Sequence, residues 1–226
     1  MGNAKGLFRA TGKISNPVMT GLINDKPVFV DNVPRNKDDF YPTPPEPTRS
    51  LLKEEFSVLK EFKNIWEPAC GDGAMVSEIK GAGLSVIASD LIDRGAEAEI
   101  RSFYDFKAPL APAIITNPPF NECNSGAWIR HALEVLKVEY MALLLPLNWP
   151  GAESRAGLWA KHPPSRVYLM RWRIDFTGAG SPPMLNAWFV WHGKTDADDT
   201  RLLMMSKSDV RQGNLDLNPQ LKLDPN

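Results

Sequence analysis

Asn117-Pro118-Pro119-Phe120 follows directly on the apolar run Ala113–Thr116 (AIIT). Two consecutive prolines carry no N–H, fix φ and stop a strand, so the tetrapeptide makes a rigid ledge of exposed carbonyls. Upstream, residues 65–73 read IWEPACGDG, where Gly71 and Gly73 in G-x-G spacing permit a tight turn and close approach of a ligand to the backbone. In a dinucleotide-binding fingerprint a third glycine falls where this chain has Val76, so a pyrophosphate cradle is disfavoured and a ligand without phosphate fits better. Asp90 ends the next apolar run, at a separation from the turn that lets a carboxylate accept both hydroxyls of a ribose. That position alone serves NAD and S-adenosylmethionine equally, since both contain a ribose.

Cys70 and Cys123 are the only cysteines. They form no CxxC pair and no histidine lies in either motif, so they read as small buried hydrophobes rather than as nucleophiles, a disulfide or zinc ligands. Asp72 reads as a helix N-terminal residue favoured by the dipole.

These residues need strands to carry them. Asn64–Cys70, Leu84–Ser89, Ala113–Asn117 and Tyr140–Leu147 are short apolar runs that predict buried strands, and Ala74–Lys80 and Trp128–Val138 carry helical spacing between them. Strands alternating with helices imply βαβ units and a parallel sheet covered on both faces. Arg166–Met170 and Ala187–Trp191 have little helical pattern between them and predict an antiparallel pair, joined by the loop TGAGSPP. Four prolines in YPTPPEPTRSLLKEEF predict irregular chain up to Thr48, which then caps a helix running to about Phe62. The expected organisation is an N-terminal arm or small hairpin over 1–40, an α/β domain over 41–195 and a tail over 196–226.

The chain has 226 residues, 43% hydrophobic and 23% charged, which suits one globular domain with short extensions. Its formal charge is −1, so no global cationic field drives binding to a polyanion, and any such partner must meet a local patch. No apolar run approaches the ~20 residues of a membrane span, and the N-terminus MGNAKGLFRA lacks a secretory h-region and has Gly6 where myristoylation wants Ser or Thr. A soluble, cytoplasmic protein without a metal is expected.

Together, EPACGDG, Asp90 and NPPF, preceded by Tyr41-Pro42-Thr43-Pro44, resemble the class I S-adenosylmethionine-dependent methyltransferases, most closely their branch that methylates N6 of adenine in DNA. The resemblance spans about Tyr41 to Trp191 and implies a doubly wound, Rossmann-like α/β sheet of seven strands, the last antiparallel. It puts Glu67, Ala69, Cys70, Gly71 and Gly73 around the methionine part of S-adenosylmethionine, Asp90 on the ribose and Leu91 over the adenine. Asp105, with Phe106, matches the position that reads the cofactor's adenine amino group. Tyr41, Thr43 and Pro44 match the segment that closes over the methionine end, and Asn117 also borders the cofactor. For catalysis it implies that the Asn117 side-chain oxygen and the Pro118 carbonyl accept the two N–H bonds of an exocyclic amine, on the ledge completed by Pro119, while Phe120 stacks on the base.

Arg155, Lys161, Arg166, Arg171 and Arg173, interleaved with Trp159, Tyr168 and Trp172, offer a phosphate-contacting surface, against the reading that they are the solvated faces of packed elements. Only residues 148–186 separate the run Tyr140–Leu147 from the last strand, short for a target-recognition region, which resembles phage-encoded or solitary methyltransferases. RNA (guanine N2 or adenine N6) and protein glutamine are the alternative substrates, and a catalytically inactive cofactor-binding module is the alternative from another class. An NAD-dependent reductase is disfavoured by the missing glycine.

Overall fold

In the computed structural model the described residues are 18–23, 26–30, 42–176, 184–193 and 200–208. The chain divides into two compact units, Met1–Phe40 and Tyr41–Asn226. In the first, β1 (Val18–Ile23) and β2 (Lys26–Val30) pair antiparallel as a hairpin.

The second unit begins with α1 (Pro45–Leu59), followed by β3 (Ile65–Glu67), α2 (Ala74–Gly81), β4 (Val86–Asp90), β5 (Glu99–Ile100) and β6 (Ala113–Thr116). Then come α3 (Phe120–Asn124), α4 (Ala127–Arg130, continued by one π turn, His131–Val135), β7 (Tyr140–Pro146), α5 (Ala156–Lys161), β8 (Arg166–Met170), β9 (Asn186–His192) and β10 (Arg201–Met205). The strands form one eight-stranded sheet in the order β10-β8-β9-β7-β6-β3-β4-β5. β9 is antiparallel to both β7 and β8, and every other pairing is parallel. The fold is therefore α/β, a doubly wound Rossmann-like sheet.

Residues alternate between two apolar layers along every central strand. Ile65, Ala113, Ile115, Ala142, Leu144, Trp188 and Val190 face Leu51, Leu52 and Leu59 of α1 and Met75 and Ile79 of α2. Trp66, Ile114, Met141, Leu143, Leu145, Ala187 and Phe189 face Trp128, Ile129 and Leu158 on the other side. Burial on both faces explains why these strands read as unbroken apolar runs.

Three features depart from the sequence expectations. α1 begins at Pro45, with Pro47 also inside its first turn. Prolines are harmless there because the first N–H groups of a helix have no intrahelical partner. β5 lies in the poorly patterned stretch after Asp93 and has two exposed residues, too short for any period to show. β10 falls within the expected tail. It pairs parallel to β8 and buries Met205, so the sheet gains an eighth strand and the antiparallel strand is not the last. The TGAGSPP loop lies outside the described residues. Among the described residues no helix is long and apolar enough to cross a membrane.

Helix α1 is fixed at both ends. Trp188 Nε1 donates to the Pro47 carbonyl at 3.0 Å, which sets where the chain enters from Thr43. Farther along, Glu55, 2% exposed, accepts bonds from Arg166 and from the Tyr168 hydroxyl. Arg166 begins β8, at the amino edge of the sheet, so this pair is an anchor remote from the carboxyl ends. Arg166→Ala strands the Glu55 carboxylate in the interior, and an expected loss of about 3 kcal/mol of stability is measurable by denaturant unfolding. A phosphate contact instead predicts weaker nucleic-acid binding with stability unchanged.

Candidate active site

The chain runs outward from β3 to β4 and β5, then returns to β6 on the other side of β3. The gap between the carboxyl ends of β3 and β6 is thus the switch point, where open α/β sheets bind ligands. Both sequence motifs sit on it.

At the end of β3, Glu67 is 1% exposed. Its Oε1 accepts the Thr116 hydroxyl from the end of β6 at 2.5 Å, across the gap, and its Oε2 has no partner. Burial, opposed by the Thr116 bond and the Ala69 backbone and reinforced by the charge of Asp90, pushes its carboxyl from 4.5 up to about 8. The folded protein therefore holds a proton there that the unfolded chain has released, so this group's contribution to stability falls as pH rises from about 4.5 to 8. Glu67→Gln keeps the acceptor and removes the titration. Its melting temperature is expected to gain on the wild type's between about pH 5 and pH 8.5, whereas a constant gap over that range means the carboxyl does not titrate there.

The turn after β3 is tied to the end of β4. The Gly71 N–H donates to Asp90 Oδ2 at 2.8 Å and the Ile92 N–H to Oδ1 at 2.9 Å. Gly71 and Gly73 have φ of 57° and 86°, a left-handed backbone in which a side chain is strained. Gly73 then starts α2. Asp90 is 9% exposed while its neighbour Leu91 is 68% exposed, an apolar shelf beside a mostly buried carboxylate. Cys70 is buried and its thiol is pushed up to about 12, first by burial and then by Glu67 and Asp90, which leaves it neutral and fits the small-hydrophobe reading. Cys123 is wholly buried, and its thiol is also pushed up.

Asn117 follows β6. Its Nδ2 donates to Thr43 Oγ1 at 3.1 Å, while its Oδ1 is buried with no partner. This bond brings the segment before α1 to the ledge, a contact the sequence motifs suggested only as two separate matches. Thr43 is 9% exposed; Pro44 precedes the first turn of α1. Pro118 is buried, Pro119 is exposed, and Phe120 opens α3 half-buried against the core.

The other expected residues separate. Tyr41 lies outside the described residues. Asp105 is exposed at the end of a 3₁₀ turn, but the Phe106 ring is buried, 4.9 Å from Trp66 and capped by Arg101, and the Phe106 carbonyl is bonded to His131 Nε2 at 3.1 Å. Of the basic residues, Arg155 donates to the Trp149 carbonyl at 2.6 Å, Lys161 pairs with Glu134 at 2.9 Å and Arg166 anchors Glu55. Their partners explain them as packing and surface pairs. Arg171 and Arg173 are exposed beyond the carboxyl end of β8, on the ligand edge of the sheet.

Sequence reasoning missed Asn186, the first residue of β9, which lies just before the predicted strand Ala187–Trp191. It is 1% exposed and neither atom of its amide has a partner. Among the described residues no group of three or more His, Cys, Asp or Glu could hold a metal ion.

No protein-family model matches the chain, and no curated protein does. Among solved structures, the chain is similar to a protein of Listeria monocytogenes described as a class I S-adenosylmethionine-dependent methyltransferase, at 17% identity and a TM-score of 0.48 over 80% of this chain and 69% of that one. It is also similar to a modification subunit of a type I restriction enzyme from Vibrio vulnificus (11% identity, TM-score 0.46, 83% of this chain and 54% of that one). A type I restriction-modification methyltransferase subunit from Streptococcus thermophilus is similar at 12% identity and a TM-score of 0.48, over 82% of this chain and 53% of that one. The chain thus spans about half the length of the two restriction-modification subunits.

Proposed function

We propose that the chain is an S-adenosylmethionine-dependent N-methyltransferase acting on an exocyclic amine, N6 of adenine in DNA. The observation that carries this reading is the buried, unpartnered Asn117 Oδ1, held by Thr43 at the switch point beside the Gly71–Asp90 turn. An orphan acceptor at that place calls for a ligand that brings N–H donors.

The residues present fit the cofactor. Each Asp90 oxygen accepts one backbone N–H and keeps capacity for a ribose hydroxyl. Leu91 gives an open apolar face for a purine. The Glu67 carboxyl, whose Oε2 has no partner in the protein, would face the methionine ammonium, and that positive charge favours release of the proton the carboxyl holds without ligand, leaving an acceptor. When bound, S-adenosylmethionine supplies an electrophilic sulfonium methyl.

The chain's own task is alignment. An adenine amine is conjugated and weakly nucleophilic. Acceptance of its two N–H bonds by Asn117 Oδ1 and the Pro118 carbonyl localises the lone pair on the nitrogen and aims it. The exposed part of Phe120 stacks on the ring, and the two prolines keep the ledge from donating in competition. No base has to remove a proton before attack, and the neutral Cys70 thiol takes no part. A base in a duplex must be flipped out to reach the ledge, at a cost of a few kcal/mol. Arg171 and Arg173, on the same edge, supply positive charge for the backbone.

The test is transfer of labelled methyl from S-adenosylmethionine to unmethylated duplex DNA, total RNA and a protein extract in parallel, with the product identified by mass spectrometry. N6-methyladenine in DNA is the expected product. Label confined to RNA or protein overturns the substrate, and cofactor binding with no transfer to any of the three overturns the enzyme.

A further inference from the structure

We propose that Asn186 is a second reader of the target, donating to an unprotonated ring nitrogen next to the amine that Asn117 receives, so that the site is built for a nucleobase edge and not for an amide. The proposal rests on the N-methyltransferase reading above and names the substrate class of that same site.

Three observations converge on it. First, β9 is antiparallel to β7, and Asn186 lies opposite Pro146, the last residue of β7. It therefore stands at the carboxyl edge of the sheet, the edge that carries Asn117. Second, it shares a face with Asn117. Trp188 and Val190, its same-face neighbours along β9, lie in the layer under α1, as do Ala113 and Ile115, from which Asn117 follows in the same alternation. Third, Asn186 is 1% exposed with Oδ1 and Nδ2 both unpartnered. A buried amide that bonds to nothing is a cost that a leucine of similar volume avoids, so a purely structural role leaves the residue type unexplained.

The spacing suits a base. β6, β7 and β9 are neighbours in that order. Continuing the register from Thr116, opposite Leu143, sets Asn117 level with Leu144 and hence with Trp188, two residues from Asn186. Two strand spacings of ~4.8 Å and two residue rises of ~3.3 Å put the two Cα atoms about 12 Å apart. Side chains that rise from one face keep their amide ends about 8–12 Å apart, enough for two hydrogen bonds of ~2.9 Å with the edge of one base between them. An asparagine amide offers both a donor and an acceptor, and an amine beside an unprotonated ring nitrogen is the pattern of an amino-bearing nucleobase, adenine among them. A glutamine side chain has no such nitrogen.

The experiment compares wild type and Asn186→Leu on duplexes carrying adenine, 1-deazaadenine or 7-deazaadenine at the methylated position. On adenine, Asn186→Leu is expected to lower kcat/KM about 10- to 100-fold, with unchanged affinity for S-adenosylhomocysteine and an equal or higher melting temperature. The wild type, which needs no folding control, is expected to lose a similar factor on one of the two deaza substrates. Asn186→Leu is expected to lose nothing further on that substrate. Unchanged kcat/KM in the variant, a lowered melting temperature, or losses that multiply on both analogues overturns the inference while leaving adenine methylation standing. If the wild type methylates no nucleic acid, the underlying reading falls and this inference falls with it.

Discussion

Asn117→Ala is expected to lower kcat for methyl transfer at least about 100-fold, the scale on which removal of one preorganised hydrogen-bonding group acts, while the affinity for S-adenosylmethionine changes little. The side chain has two separable ends. Its Nδ2 is occupied by Thr43 at 3.1 Å, and its Oδ1 is buried with no partner in the protein. On the proposed reading the bonded end holds position and the bare end receives the amine. Thr43→Val tests the first end alone. It removes the oxygen that fixes the amide and leaves Asn117 itself, so a smaller loss of about tenfold is expected from misalignment. The two effects should not add in the double variant, because Thr43 acts only through Asn117. Single-turnover transfer measures the step, and fluorescence titration with S-adenosylhomocysteine checks that the cofactor still binds. An Asn117→Ala enzyme with wild-type kcat would remove the ledge from the chemistry.

Much of this site is legible in the sequence because chemistry at a switch point depends on local backbone. Gly71 and Gly73 are needed at positive φ, Pro118 and Pro119 end a strand, and Asp90 closes the next one, so each leaves a mark on its own neighbourhood. The central strands are legible for a different reason: burial on both faces makes them unbroken apolar runs. What escapes has no local mark. The bond from Asn117 to Thr43 joins residues on separate segments and exists only once Trp188 has fixed the first turn of α1. Asn186 is one polar residue at the head of an apolar strand, and its burial and lack of partners are properties of the sheet's edge. The partners of the basic run leave no local mark either: Arg155, Lys161 and Arg166 are close in sequence, yet Trp149, Glu134 and Glu55, which engage them, lie on three separate elements. β10 escapes because an edge strand needs only one covered face, and only Met205 of its residues is buried.

Asp90→Ala is expected to raise Kd for S-adenosylmethionine and for S-adenosylhomocysteine alike, by about 100-fold or more, because the carboxylate serves two ends of the same contact. Toward the protein it accepts the N–H groups of Gly71 and Ile92, fixing the turn against the end of β4. Toward the ligand it offers its remaining lone pairs to a ribose, and hydrogen bonds to a charged group contribute about 1.5–3 kcal/mol each. Loss of the side chain leaves the Gly71 N–H without its acceptor and frees the loop that must lie against the cofactor. Asp90→Asn separates the two ends. Its amide oxygen can still accept one N–H, so the fold is retained, but the charge and one acceptor are gone, and an intermediate affinity follows. Methylated cofactor and demethylated product share the ribose, so both should weaken by the same factor in either variant, measured by calorimetry. Asn117→Ala should weaken neither. That crossed pattern, binding lost at Asp90 and turnover lost at Asn117, assigns the end of β4 to holding the nucleoside and the end of β6 to receiving the amine. Wild-type affinity in Asp90→Ala would instead place the nucleoside elsewhere on the edge and leave the Gly71–Asp90 bonds as a loop tie alone.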